Sequence, residues 1–465
     1  VKVVVIGAGM TGLACAHALR DRADVVVLEA SSRAGGNVRT EREEGFVMDA
    51  GPDGWLVTKP EATALARAIG LEGELIGTTE ANRRVYVAWN STLHAMPEGV
   101  VLGVPTRIAP MVSTRLFSLR GKARMAFEPL VPRARYEGDD DESVGDFVAR
   151  RLGSEARDRL AAPLLGGIFA GDAGSLSVRA AFPQLVEQER KYGSLVRAMR
   201  AQMRARKKSA NGANGASHKS ASAFYSLRSG MSRFPETLAK LVDVRLSVRA
   251  ESIARARGAY EIATSRETLR ADAIVIATPP PHTATLLAAL DGELARLAGE
   301  IRCGSSAAIF LGYERDAIAH PLDASGFVVP RTAKNKLVAC TFVTSKWEGR
   351  APVGRVLLRA FVGGAGRESA LDASDGELVD IARSELGELL GRMGDPILAR
   401  VFRHVRASPQ PEVGHLARMR AFDDRLRALP NAYVVGNGYR GTGIPDCVRQ
   451  ARETADAIAP RVAAR

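Results

Sequence analysis

Four cysteines in 465 residues are few, and Cys15, Cys303, Cys340 and Cys447 lie far apart with no C-x-x-C pair among them. That spacing excludes a disulfide-stapled scaffold, and the four read as reduced, mostly buried thiols of a cytosolic protein. The seven histidines are scattered without ligand spacing, so no metal is expected. Aromatic residues make up only 5% and never interleave a basic stripe. The net charge of +13 is therefore not read as a nucleic-acid footprint. No run of about 20 apolar residues occurs, which excludes a transmembrane helix. No signal peptide is expected either, because a strand pattern begins at residue 1. Three readings of the charge remain: an arginine-rich solvated surface, a small polyanionic substrate, or weak attraction to an anionic membrane surface.

Present instead are two glycine turns about 430 residues apart. Val1 to Ile6 reads as a short buried parallel strand. It enters Gly7-Ala8-Gly9-Met10-Thr11-Gly12 and continues with helical spacing from Leu13 to Leu19. Strand, glycine turn and helix in that order is the setting in which G-x-G-x-x-G holds a dinucleotide; alone, the same glycines are an ordinary turn. Gly7 permits the turn, Gly9 lets the backbone approach a pyrophosphate, and Gly12 lets helix pack closely on strand. The phosphate then meets the N–H groups at the helix start. A second apolar run, Val25 to Leu28, ends in Glu29 and Ala30, where a carboxylate can accept from a ribose hydroxyl. At the other end, Ala432 to Val435 reads as a strand entering Gly436-Asn437-Gly438 and Gly441-Thr442-Gly443-Ile444-Pro445. Pro445 suits the first turn of a helix. The plainer reading is a strand–loop–helix that only completes the sheet.

Between these ends, a helix is expected from Glu61 to Ile69, ended by Gly70, then two strands over 82–97 turning at Asn90-Ser91. Residues 99–110 read as a proline-punctuated loop. The acids of Asp139 to Glu142 read as a dipole cap on a helix from Val144 to Leu152. Helical pattern runs in pieces to Arg206, interrupted by a loop at 166–175, and Lys207 to Ser217 reads as a mobile polar loop. Strands are expected at 244–253, 260–264, 271–277, 306–313, 326–329, 337–342 and 356–362, and a helix from Asp375 to Leu390. A sheet of that size outside the cofactor fold is a natural floor for a substrate pocket.

Arg33-Ala34-Gly35-Gly36-Asn37-Val38-Arg39-Thr40 and Asp49-Ala50-Gly51-Pro52-Asp53-Gly54, with the two glycine turns, resemble the flavoprotein oxidase superfamily of amine oxidases, phytoene desaturases and porphyrinogen oxidases. Pro163 to Asp172, followed by Leu176-Ser177 and Phe182-Pro183, is similar to the porphyrinogen oxidases of haem biosynthesis, and the likeness spans Val1 to about Ala457. Leu93 to Gly99, Ser113 to Arg124, Ala339 to Phe342, Lys346-Trp347, Leu358 to Gly363, Val413-Gly414-His415 and Gly443 to Cys447 resemble the Gram-positive branch, whose members favour coproporphyrinogen III over protoporphyrinogen IX. One departure agrees: where protoporphyrinogen-type members carry an arginine, this chain has Val85, with Arg83 and Arg84 just upstream.

The resemblance implies an α/β fold: a Rossmann-like FAD-binding domain closed by both chain ends, a mixed-sheet substrate domain and a helical insertion. It divides the chain into FAD-binding parts at 1–80, 223–298 and 425–465, substrate parts at 81–104 and 299–424, and a helical part at 105–222. Non-covalent FAD is the implied cofactor, held by Gly7, Gly9, Met10, Thr11, Gly12, Glu29, Ala30, Asn37, Gly51, Pro52, Asp53, Gly54, Ala250, Thr442, Gly443 and Ile444. The helix N-terminus near Ile444 would stabilise negative charge on the flavin ring. His404 stands where relatives often keep tryptophan. The implied reaction is a six-electron oxidation of a porphyrinogen, two electrons per pass, with oxygen reduced to hydrogen peroxide; the protein supplies position and field, not a nucleophile–base pair. Apolar walls are expected from Gly167, Ile168, Phe169, Val328, Ala339, Thr341 and Phe361. Cations for the propionates are expected among Lys59, Arg83, Arg84, Arg107 and Lys346. A cytoplasmic protein is implied, with weak peripheral membrane contact and transient contact with other haem-pathway enzymes as further expectations; oligomeric state is left open. Protoporphyrinogen IX as substrate, an amine or carotenoid oxidase, and a flavin-binding scaffold without turnover stay open as alternatives.

Overall fold

The computed structural model describes residues 1–97, 100–101, 104–105, 108–212 and 222–463. The chain divides into two units: Val1–Thr78 with Ser222–Cys303 and Ala417–Arg465, and Thr79–Ala221 with Gly304–Leu416.

The first unit is built on five parallel strands in the order Asp243–Arg245, Asp24–Leu28, Lys2–Ile6, Ala273–Ile276, Ala432–Val434. Val3 to Val5 and Val275 are fully buried, as expected of strands covered on both faces. One face packs against the Met10–Leu19 helix and the long C-terminal helix Ile444–Ala463 through Leu13, Leu19, Val448 and Ala451. The other face carries an antiparallel three-stranded sheet (Ala250–Ala256, Ala259–Thr264, Thr268–Ala271) and the helices Pro280–Leu287 and Gly292–Gly299. Both chain ends thus close one Rossmann-like α/β layer.

The second unit centres on seven strands in the order Leu398–Pro409, Cys303–Glu314, Arg355–Gly363, Leu337–Phe342, Gly326–Val328, Val85–Trp89, Thr92–Ala95. Alternation sends Ile309, Leu311, Leu358 and Ala360 to one face, against Leu378, Ala382 and Leu386 of the Asp375–Leu390 helix. The opposite face sends Val87, Val328 and Ala339 into a core shared with Phe147, Leu160 and Leu165 of the helical segments. The Asp375–Leu390 helix starts in a capping box: Ser374 Oγ accepts from the Glu377 N–H at 3.3 Å, and Glu377 Oε2 accepts from the Ser374 N–H at 2.7 Å. Ser374→Ala is expected to cost about 1 kcal/mol in urea unfolding; a loss below about 0.3 kcal/mol would mean the box is not formed in solution.

Five sequence expectations need correction. The loop expected at 166–175 begins only at Ala170, because the helix Ala162–Phe169 runs through Gly166 and Gly167; Leu165 anchors it in the core. Lys207 to Gly212, expected as loop, continue the helix Leu195–Gly212, whose Ala, Arg and Lys residues favour propagation; 213–217 lie outside the described residues. The strand expected over 244–253 is two strands in two sheets, parted at Ser247, which takes a positive φ of 55°. The 99–110 loop contains the strands Val100–Val101 and Val104–Pro105 and the start of the helix Ile108–Ser113; the rest of it, with Arg107, lies outside the described residues. Finally, the acids before Val144 are tethers. Ser143 is the cap, accepting from the Asp146 N–H at 2.9 Å, while Asp141 accepts from Ser177 Oγ at 2.9 Å and the Gly414 N–H at 3.2 Å, and Glu142 pairs with Arg150.

Candidate active site

The first glycine turn leads from the Lys2–Ile6 strand into the helix that starts at Met10, with Gly9 as its N-cap and no side chain capping it. The orphan N–H groups of that first turn are a ready anion site. A Cβ on Gly9 would meet nothing within 4 Å, so the protein leaves open the space a pyrophosphate needs. At Gly12 the opposite holds: a Cβ would overlap the Gly7 carbonyl oxygen and press Ala277 Cβ at 3.2 Å. Met10 and Thr11 are buried beside it. Glu29 is held in place by its own acceptors, Oε2 taking the Ala8 N–H at 2.9 Å and Oε1 the Ser31 N–H at 2.9 Å and Ser31 Oγ at 2.7 Å. Ala30 beside it is exposed. Asn37 and Gly51 are brought together, since a Gly51 side chain would strike the Asn37 carbonyl; Pro52, Asp53 and Gly54 follow half-buried. Asp49 fixes this segment, accepting from Thr40 Oγ1 at 2.7 Å and the Met231 N–H at 2.8 Å.

The C-terminal turn comes to the same helix start. A Cβ on Gly436 would have Thr11 Oγ1 as its nearest neighbour, at 3.9 Å. Gln450, two turns into the last helix and 2% exposed, accepts from the Gly436 N–H at 3.2 Å. Its buried Nε2, and the buried Oδ1 of Asn437, meet no hydrogen-bond partner among the described residues. Buried polar atoms are normally satisfied, so an unpartnered amide and carbonyl here fit a bound polar chain such as a ribityl diphosphate. Thr442 and Gly443 are half-buried, and Asp446 Oδ2 accepts from the Gly443 N–H at 3.3 Å. Lys59, expected as a propionate partner, is bound to that same Asp446 at 2.7 and 2.8 Å. Ile444 is buried at the helix start, and Ala250 opens the antiparallel sheet. Burial pushes the Cys15 thiol up to about 12 and the Cys447 thiol up to about 11, so neither supplies a thiolate at neutral pH.

The second unit brings Val328, Ala339, Thr341 and Phe361, four of the expected wall residues, onto one face of its sheet. Val328 pairs with Ala339, Ala339 with Phe361, and Val328 also with Val87, making one apolar row across four strands. Gly167 stands over it: a Cβ there would touch Val328 Cγ1 at 3.6 Å and Ala339 Cβ at 4.0 Å. Phe169 stacks edge-on against Phe182, and its carbonyl accepts from Gln410 Nε2 at 3.0 Å; Ile168 falls between Gly167 and Phe169 in the Ala162–Phe169 helix. In the next row Thr341 pairs with Gly326 on one side and Arg359 on the other. Arg84 is mostly exposed and sits 3.7 Å from Asp323, while Arg83 is half-buried at the head of the Val85–Trp89 strand. The Lys346 ammonium lies 5.1 Å from the Trp347 ring centroid. His404 falls in the Leu398–Pro409 strand. Two residues on these surfaces were not singled out from sequence, Gln450 and Arg359. For Arg359 a signal exists, a lone arginine inside the apolar run Val356–Val362; for Gln450 none does.

Among the described residues no helix is long and apolar enough to cross a membrane, and no three His, Cys, Asp or Glu side chains are grouped to hold a metal.

Comparison with known proteins agrees with this geometry. Residues 10–459 match the family described as flavin containing amine oxidoreductase, and fold and cradle together define an FAD-dependent oxidoreductase. The chain is 34% identical to coproporphyrinogen III oxidase of Bacillus subtilis (strain 168), over 97% of this chain and 96% of that one. To protoporphyrinogen oxidase 1, chloroplastic, of Arabidopsis thaliana it is 28% identical, over 97% and 87%. A crystal structure from Exiguobacterium sp. 255-15, assigned as a protoporphyrinogen oxidase, superposes with a TM-score of 0.86 at 30% identity, covering 99% of both chains. The chain belongs to the porphyrinogen oxidase family of these flavoproteins.

Proposed function

We propose that this enzyme oxidises coproporphyrinogen III to coproporphyrin III, in preference to protoporphyrinogen IX, and passes the electrons to oxygen. The observation that carries the reading is the near-full-length likeness to coproporphyrinogen III oxidase, greater than that to the plant protoporphyrinogen enzyme. When bound, FAD supplies a two-electron acceptor for hydride at N5 that oxygen regenerates, so six electrons need three rounds. Binding, orientation and field come from the chain itself.

The first unit is the FAD-binding part. The turn at Gly7 to Gly12 holds the diphosphate, Glu29 the ribose, Asn37 and Gly51 to Gly54 the ribityl chain and ring, and Thr442 to Ile444 the ring and diphosphate end. Ala250 lies toward the adenine. The dipole of the Ile444–Ala463 helix favours negative charge at its start, which lowers the barrier wherever electrons arrive there. The second unit supplies the substrate wall. Val328, Ala339 and Phe361, with Gly167 beside them, offer a surface suited to a flat apolar macrocycle, and Ile168 and Phe169 follow Gly167 in its helix. Thr341 adds a hydroxyl at the edge of that surface. Lys59 serves the cradle through Asp446 and leaves the propionates to other cations, Arg83 and Arg84 among those first expected.

Aerobic turnover of purified enzyme tests this directly. Three O2 consumed and three H2O2 released per coproporphyrin are expected, with kcat/KM for coproporphyrinogen III at least about tenfold above that for protoporphyrinogen IX, the worth of one charge-assisted bond. A protoporphyrinogen preference, or oxidation of amines alone, would overturn the assignment.

A further inference from the structure

We propose that Gln410 is a positioning residue that fixes Phe169 in the substrate wall by clamping a strained helix end; the proposal rests on the porphyrinogen reading and names what holds its wall in place. The Ala162–Phe169 helix stops at Ala170, which takes the left-handed conformation at φ 47° and ψ 33°. Alanine enters that region only against a steric penalty, and it stays there when its surroundings fix it. Two neighbours do so. The Ala170 carbonyl accepts from the Ala365 N–H at 2.7 Å, and Gly364 makes room for it, since a Cβ there would come within 2.8 Å of that oxygen. The other neighbour is Gln410. The Phe169 carbonyl is among the last four of its helix, which have no partner inside the helix, and it accepts from Gln410 Nε2 at 3.0 Å.

Gln410 follows the Leu398–Pro409 strand and is 1% exposed. Its amide can face only one way, because Nε2 also donates to the Ser408 carbonyl at 2.8 Å, and two carbonyls require the NH2 end. Oε1 is buried beside Gly171, where a Cβ would lie 2.5 Å from it, so the glycine lets the amide close on the helix end. The chain around Gln410 is itself anchored: the Pro411 carbonyl accepts from the Ser177 N–H at 2.9 Å, and the Val413 N–H donates to the Ser175 carbonyl at 2.9 Å. Removing the amide leaves these anchors and the Ala365 bond in place but frees the last helical turn. Ala170 then relaxes toward negative φ, and Phe169, whose ring centroid lies 5.8 Å from that of Phe182, turns with it. The fold keeps its anchors while the wall loses its fixed ring.

The test compares wild type, Gln410→Leu, Gln410→Glu, Phe169→Ala and the Gln410→Leu/Phe169→Ala double variant. Flavin content and thermal midpoint are read for each protein. For Gln410→Leu, KM for coproporphyrinogen III should rise about 5- to 50-fold with kcat changed much less and flavin content unchanged. The loss should be alike on protoporphyrinogen IX, which shares the macrocycle but not the rim. Added to Phe169→Ala, Gln410→Leu should change KM less than about twofold, because the residue it acts through is gone. In Gln410→Glu, burial raises the carboxyl pKa, and the protonated form can donate to the Phe169 carbonyl. Its KM should stand near that of wild type at low pH and climb as the carboxyl ionises, a limb the wild type lacks. This pH series carries the test by itself if Gln410→Leu does not fold. Equal losses from Gln410→Leu with and without the Phe169 ring, or a Gln410→Glu KM that follows wild type at every pH, would overturn the role of Gln410 while leaving porphyrinogen oxidation intact. Failure of the wild type to oxidise either porphyrinogen would overturn both.

Discussion

Gly9→Ala should purify as a folded but colourless protein, whereas Gly12→Ala should lose flavin and stability together. The two glycines are three residues apart in one turn, yet the space before them differs. Gly9 has φ −73° and ψ 177°, which alanine adopts without strain, and its Cβ would point into open space. The methyl group is therefore harmless to the fold and lies only where a diphosphate must come. Losing two charge-assisted bonds to backbone N–H groups weakens FAD by at least about 100-fold. At Gly12 the methyl group meets the Gly7 carbonyl and Ala277, backbone and core that cannot yield cheaply. Overpacking of that kind costs about 1–3 kcal/mol and displaces the helix start itself. Flavin absorbance per protein and the thermal midpoint of the flavin-free forms separate the cases. Equal midpoints for the two variants would contradict the difference in packing.

Glu128→Ala should be the most destabilising single substitution in the helical segments, by about 3–5 kcal/mol. Glu128 is fully buried and accepts from Arg151 Nε at 2.7 Å, the Leu195 N–H at 2.9 Å, the Val196 N–H at 3.3 Å and Ser194 Oγ. One carboxylate thus satisfies a buried arginine and the orphan N–H groups that start the Leu195–Gly212 helix. Arg151, also fully buried, reaches Glu189 at 3.2 Å and the Val131 carbonyl at 2.9 Å, and Glu189 in turn takes Arg150 at 2.7 Å. Removing Glu128 leaves a buried cation short of charge and several donors unanswered, which costs more than the bonds themselves yield. Urea unfolding followed by far-ultraviolet circular dichroism measures the loss. A cost below about 1 kcal/mol would mean that water reaches this network.

Much of the fold was legible because local and global signals agreed. The first strand, turn and helix carry periodicity, glycines and an acid in register, and the Asn90-Ser91 turn is a hairpin with φ of 50° and 54°, as its residues suggest. The Asp375–Leu390 helix begins after a serine that caps it and ends before Gly391 at φ 79°. What was missed depends on distant contacts. The bend at Ser247 occurs without glycine or proline, so the alternating pattern ran through two strands of different sheets. The Leu398–Pro409 strand is the sheet's edge, and its arginines break the apolar alternation that marks an inner strand. Lys59 and Asp446 meet across 387 positions of sequence, which no local pattern reports. Arg359 was visible as a charge in an apolar run, but its face became clear only through its register with Thr341 and Phe310.

Anaerobic mixing of the FAD-loaded enzyme with coproporphyrinogen III, followed at the oxidised-flavin absorbance band, tests the central claim most directly. Rapid bleaching, faster than with protoporphyrinogen IX, and porphyrin fluorescence on admitting air are the expected result. An absorbance left unchanged by both porphyrinogens would contradict it.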